Sequence, residues 1–155
     1  MMKRLIGTIE TLPYRFLINV GAYRDMYTTV PDNVYLDSWF PQPAVLKECQ
    51  LFIHHGGNNS FCEALYFGLP SLIIPYCWDG HDNAVRAEEV GVGRYLPRFA
   101  DPLSALPAAL EQLLADQSMK QRLEAFSKNM QATRGTDIAA RAIMVLPNTE
   151  ANTAL

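Results

Sequence analysis

Apolar positions along the chain change period several times, and each change marks an element. Met2, Leu5, Ile6, Ile9 and Leu12 recur at helical spacing ahead of Pro13, so the chain opens in a helix that ends near Thr11. Short apolar runs follow. Residues 15–20 (RFLINV) read as a buried strand, residues 33–36 (NVYL) as a second after the turn Pro31-Asp32-Asn33, and residues 50–54 (QLFIH) as a third. Residues 43–48 (PAVLKE) form a short helix, with Pro43 at a tolerated first-turn position. Residues 60–67 (SFCEALYF) read as a helix closed by Gly68 and Pro70, residues 71–75 (SLIIP) as a fourth strand, and Asp82 to Val90 as a helix closed by Gly91. Residues 93–96 (GRYL) are a fifth strand at a sheet edge. Beyond Asp101 the pattern is wholly helical over residues 102–116, 118–131 and 136–146, with Ser118 and Thr136 as N-caps.

Short, β-branched strands alternating with helices predict an α/β fold, a doubly wound parallel sheet covered on both faces. One domain is expected over residues 1–146, followed by a frayed tail at residues 147–155. In such sheets ligands bind beyond the carboxyl ends of the strands, which is where His54 to Ser60 falls.

Composition narrows the class. With 155 residues, 49% of them apolar, the chain can bury a core without metal or disulfide staples. Its net charge of -3 and the lack of any basic run exclude broad attraction to nucleic acid. Three unpatterned cysteines, Cys49, Cys62 and Cys77, predict buried reduced thiols and a cytoplasmic protein. No apolar run reaches the ~20 residues that cross a bilayer, and Met1 to Leu12 lacks the apolar core of a signal peptide.

The most informative stretch is residues 51–75, LFIHHGGNNSFCEALYFGLPSLIIP. In a strand successive side chains point to opposite faces, so His54 and His55 do not face one ligand together. That argues against a two-histidine metal site, as does the absence of H-x-x-x-H spacing. Gly56 and Gly57 allow a tight turn and close backbone approach. Asn58, Asn59 and Ser60 then begin a helix whose free N–H groups and positive dipole end suit an anion. Ser60 and Glu63 equally spell a capping box, which would satisfy the helix start from within. Helix-terminus charge effects contribute only about 0.3 to 1 kcal/mol, so a bound pyrophosphate needs further contacts.

Two other clusters could supply them. Trp39 follows a strand, and Pro41 and Pro43 stiffen the loop that carries Gln42; an indole can stack on a base for about 1 to 3 kcal/mol, or simply belong to the core. Residues 75–84 (PYCWDGHDNA) follow the fourth strand and carry Asp79, His81, Asp82 and Asn83. Asp79 either caps the next helix or, with its neighbours, holds sugar hydroxyls.

Together these segments resemble the donor-binding half of the nucleotide-sugar glycosyltransferases of the GT-B fold, a group that includes the UDP-glycosyltransferases. The family pattern W-x-P-Q-x-x-V-L stands here as Trp39-Phe40-Pro41-Gln42-Pro43-Ala44-Val45-Leu46. H-x-G-x-N-S-x-x-E stands as His55-Gly56-Gly57-Asn58-Asn59-Ser60-Phe61-Cys62-Glu63, and G-x-P as Gly68-Leu69-Pro70. The last block, P-x-x-x-D-Q-x-x-N-A, runs from Pro75 to Ala84 with Asp79 and Asn83 in place. By that resemblance the donor is a UDP- or dTDP-hexose, and transfer to an acceptor hydroxyl is inverting and independent of metal or cofactor. Trp39 would stack on the pyrimidine and the Phe40 backbone would read its edge. Gln42 and Glu63 would take the ribose hydroxyls. His55, the backbone of Gly57, Asn58 and Asn59, and Ser60 would hold the pyrophosphate, His55 stabilising the leaving group. Asp79 would bind the transferred sugar.

This sequence departs from the pattern in two ways. Gly80 replaces the family's Gln after Asp79, which leaves the donor sugar open, and Glu48 stands where many members carry His. The resemblance also implies an acceptor-binding half with the catalytic base, a Rossmann-like donor sheet whose first strand lies at its centre, and a partner domain or subunit. Neither that half nor that strand is found in these residues, and no catalytic base is assigned to them. The expectation is a sheet compensated by re-pairing of its strands or completed by another chain, with a homo-oligomer as one form. The alternatives are a nucleotide-sugar binding module without catalysis, and a dinucleotide-binding oxidoreductase. For the latter, Gly91-Val92-Gly93 lacks a third glycine and precedes a strand rather than following one.

Overall fold

The computed structural model of the chain describes residues 2–99 and 101–145. Helix α1 (Met2–Ile9) leads into strand β1 (Phe16–Asn19), a 3-10 turn (Gly21–Met26), strand β2 (Val34–Asp37) and helix α2 (Gln42–Leu46). Strand β3 (Phe52–His54), helix α3 (Asn58–Phe67), strand β4 (Ser71–Ile73), helix α4 (Asp79–Glu89) and strand β5 (Gly93–Tyr95) follow. Helices α5 (Pro102–Ala115), α6 (Gln117–Ala132) and α7 (Gly135–Val145) complete the order. Every strand and helix expected from periodicity is present. The 3-10 turn was not expected, and the 147–155 tail lies outside the described residues.

All strand pairs are parallel, as the alternation of strands and helices implies, but the strands form two small sheets. β1 pairs with β2, Phe16 opposite Val34 and Asn19 opposite Asp37. β3, β4 and β5 form the other sheet, with β4 in the middle. Phe52 lies opposite Ser71, and Ser71 opposite Gly93. The expected re-pairing of β1 with β3 does not occur among the described residues.

Burial follows pairing. β4 has a neighbour on each side, and Leu72 and Ile73 are fully buried; each contributes about 1.5–3 kcal/mol by leaving water. β1 has one neighbour, and it is not the buried strand that its composition suggests: its residues alternate, with Leu17 53% exposed. β5 sits at the edge, as expected. Ile9, Val92, Leu106, Leu113 and Leu123 join the same core from α1, α5, α6 and the approach to β5. α6 is tied to the end of α3 by Ser127 Oγ and Gln131 Nε2, which donate to the Tyr66 carbonyl at 2.6 and 2.9 Å.

Several local readings are corrected. α6 is capped by Asp116, whose Oδ1 accepts the Met119 N–H at 2.9 Å, rather than by Ser118. A carboxylate two residues earlier offers the better acceptor, and Ser118 Oγ instead donates to it at 2.7 Å. Helix α7 begins at Gly135, so Thr136 lies inside it. The cysteines are free but not buried: Cys62 is exposed, and Cys49 and Cys77 are half-buried. Among the described residues no helix is long and apolar enough to cross a membrane.

Candidate functional site

The carboxyl ends of β3 and β4 open onto a common turn, and the two histidines divide there as strand geometry requires. His54 is buried; His55 is exposed. The His54 ring closes the turn from below. Its Nδ1 accepts the Gly56 N–H at 3.0 Å, and its Nε2 lies 3.1 Å from Ser71 Oγ. A backbone N–H only donates, so the ring proton sits on Nε2 and is given to Ser71. Burial, aided by the neighbouring His55, lowers the His54 pKa to about 4, so the ring is neutral at pH 7. His54 is a structural residue.

The turn itself leaves no room. Gly56 has φ +88, and a Cβ there would come within 2.6 Å of the Gly80 carbonyl oxygen. The approach is reciprocal, since a Cβ on Gly80 would lie 2.6 Å from the His55 carbonyl oxygen. The Gln that the family pattern carries at this position has no space for its first carbon in this backbone. Asn83 Nδ2 locks the contact by donating to the Gly56 carbonyl at 2.7 Å. His55 folds back over Gly57, where a Cβ would be 2.5 Å from its Nε2.

Helix α3 starts at Asn58 with Gly57 as its N-cap, and no side chain of its own first turn caps it. The capping-box reading of Ser60 and Glu63 therefore fails, because Ser60 already lies inside the helix. Phe61 N–H is the first amide returned to the turn, to Gly57 O at 3.0 Å. Asn58 N–H is held by the Asp79 carboxylate at 3.0 Å. The Asn59 and Ser60 N–H groups have no acceptor among the described residues. Open amides at a helix start favour an anion.

From the other side α2 brings Gln42 across. Its Nε2 donates to Glu63 Oε2 at 2.7 Å and lies 3.5 Å from Ser60 Oγ. Glu63 keeps its second oxygen as an acceptor, so the pair suits adjacent hydroxyl donors. Trp39, on the loop between β2 and α2, is 70% exposed and not a core residue. Phe40 behind it is half-buried and packs edge-on against Tyr35, with centroids 5.9 Å apart.

The structure thus links Gln42, Ser60 and Glu63 by hydrogen bonds, sets His55 over Gly57, and joins Asp79 to Asn58. Trp39 contacts no other ring among the described residues. Sequence reasoning gave no role to Ser71, whose service to His54 crosses 17 residues, or to Trp78. Trp78 is 86% exposed and caps α4 with a φ of +42. No local pattern marks either. A cavity of about 860 Å³ lies elsewhere, lined by Ile6, Gly7, Leu12, Tyr27 and Asn33 among others. It opens near the amino-terminal end of β2, opposite the site, and we attach no chemistry to it.

Comparison with known proteins places this geometry. Residues 5–145 match the family described as erythromycin biosynthesis protein CIII-like, C-terminal domain. The chain is 34% identical over 143 residues to NDP-glycosyltransferase YjiC of Bacillus subtilis (strain 168), covering 91% of this chain and 36% of that protein. It is 36% identical over 115 residues to the aklavinone 7-beta-L-rhodosaminyltransferase of Streptomyces galilaeus, covering 74% of this chain and 26% of that protein. Among solved structures, the glycotransferase of kitacinnamycin superposes with a TM-score of 0.84 at 27% identity, over 92% of this chain and 38% of that one. The calicheamicin glycosyltransferase CalG4 shares the fold with a TM-score of 0.82 at 23% identity, over 92% of this chain and 37% of that one. The chain therefore spans between about a quarter and two fifths of these proteins. What it spans in each is a GT-B carboxyl-terminal part, and the match over residues 5–145 makes it a member of the EryCIII-like C-terminal domain family of glycosyltransferases.

Proposed function

We propose that this chain is the donor-binding domain of a glycosyltransferase that takes a UDP- or dTDP-hexose and passes the sugar to an acceptor hydroxyl. The acceptor-binding half and the catalytic base are supplied from outside these residues, and the reaction takes place in the cytoplasm. The observation that carries this reading is the Gln42–Glu63 hydrogen bond of 2.7 Å. It sets a hydroxyl-binding pair between an exposed indole and the open amides of α3. A ring, a diol and an anion can be met in that order across one surface.

Each group then has a defined task. Trp39 offers a flat apolar face to a pyrimidine, and the Phe40 backbone lies beside it to read the edge of the base. Glu63, oriented by Gln42, accepts from the ribose hydroxyls. Asn59 and Ser60 amides, with the Gly57 and Asn58 backbone and the His55 imidazole, receive the diphosphate. As the bond to the sugar breaks, charge grows on that diphosphate, and donors already aimed at it lower the barrier without reorganising. The displacement inverts the sugar carbon because the acceptor attacks from the face opposite the leaving group. His55 and the α3 amides supply the stabilisation of that group in this reading, so no metal ion is assigned the task.

Calorimetric titration with uridine, UDP, dTDP and the glucose conjugates of the two diphosphates tests it. Trp39→Ala should weaken binding of every nucleotide by roughly fivefold or more, from the loss of about 1 to 3 kcal/mol of stacking. His55→Ala should weaken the diphosphates while sparing uridine. Unchanged affinity in either variant removes that residue from the site, and unchanged affinity in both removes the site.

A further inference from the structure

Asp79 and the Asn58 amide meet where the proposed diphosphate would arrive. Asp79 begins α4, yet its carboxylate leaves its own helix and accepts the Asn58 N–H at 3.0 Å across 21 residues. Of the three N–H groups that open α3 ahead of Phe61, one is thus satisfied by an anion belonging to the chain itself. The backbone around Asp79 is held firmly. Gly80, on one side, is packed against the His55 carbonyl. Trp78, on the other, has a φ of +42, a conformation costing roughly 1–2 kcal/mol for a residue with a side chain. The carboxylate itself is exposed, so it can leave Asn58 by side-chain rotation alone.

We propose that Asp79 is an internal competitor for the diphosphate: it occupies the Asn58 amide in the empty site, is displaced by the arriving phosphate, and turns to the sugar hydroxyls. This rests on the donor-site reading above. A carboxylate and a phosphate oxygen cannot share one N–H without bringing like charges into contact, and the repulsion survives partial exposure to water. One of the two anions must yield. The carboxylate is released for sugar recognition only when a diphosphate is seated on α3, which couples the two halves of donor recognition. A residue that merely caps α3 behaves differently: removing its charge would still ease anion binding, but the affinity that glucose adds over UDP alone would stay as it was.

The test is calorimetry of the full 155-residue chain with inorganic pyrophosphate, UDP and UDP-glucose, on wild type, Asp79→Asn and Asp79→Ser. Both variants keep an oxygen that can cap Asn58 and lose the charge; the second guards against loss of fold in the first. Pyrophosphate and UDP are expected to bind about fivefold tighter to both variants, the scale of an exposed charge pair. The affinity that glucose adds over UDP alone should shrink. Equal or weaker binding of pyrophosphate and UDP by the variants overturns the competition and leaves the donor site standing. No binding of any probe to any of the three proteins removes the donor-site reading and this inference together.

Discussion

Gly56→Ala is expected to cost roughly 2 to 5 kcal/mol of stability. Two penalties add. The residue stands at φ +88, where a side chain is strained in any surroundings, and the new Cβ would meet the Gly80 carbonyl oxygen at 2.6 Å and its Cα at 2.9 Å. Both are backbone atoms anchored in α4, so no flexible side chain can give way. Against a total stability of about 5–15 kcal/mol such a loss is severe, and the melting temperature should fall by about 4 to 20 °C. Gly80→Gln meets the reciprocal obstacle at the His55 carbonyl. Restoring the residue usual in the family should therefore lower the melting temperature rather than improve donor binding. A thermal melt of either variant that overlays the wild type would show that the two turns separate freely.

Acid should open the same turn from below. The His54 pKa is lowered from 6.5 to about 4, burial being the main cause and the His55 charge the lesser. A base whose folded pKa is depressed stabilises the fold fully above its unfolded value and loses that contribution as pH falls through the folded one. Here the window runs from about pH 6.5 down to about pH 4, and the loss across it is about 3 kcal/mol. The structural cause is specific: a second ring proton must sit on Nδ1, which accepts the Gly56 N–H at 3.0 Å. Asp37, Asp116 and Glu124, whose carboxyls are held below their usual values by hydrogen bonds, act in the same direction, their contribution being lost as pH falls from 4.5 for the Glu and 3.8 for the Asp residues. Urea unfolding at pH 7, 5.5 and 4.5 should show the decline in wild type and a flatter profile in His54→Gln. Parallel profiles would assign the acid sensitivity to other groups.

Much of the site was legible because its residue types are tied to local geometry. His54 and His55 had to diverge, since adjacent strand residues face opposite ways. Gln42 and Glu63 were paired by the family resemblance alone, not by local geometry, and the structure joins them by a hydrogen bond. Ser60 was read ambiguously because a capping box and an anion-binding helix start use the same residues; only the true first residue, Asn58, separates them. Asp79 was weighed as a cap of its own helix, and it serves instead at the start of α3. That exchange depends on a contact between residues 21 apart, which no local pattern encodes.

The order of strands and helices, the parallel class, the glycine turn and the residues placed around it were determined by the sequence alone. Periodicity, turn chemistry and strand alternation act over a few residues and leave their mark in any window that contains them. The tertiary structure decided the rest: the division into two sheets, the half-exposure of β1, the wedging of Gly56 against Gly80, and the service of Ser71 to His54. Each of these is a contact between segments brought together only by packing, where excluded volume and the need to satisfy buried polar groups select one arrangement among many that the local pattern allows.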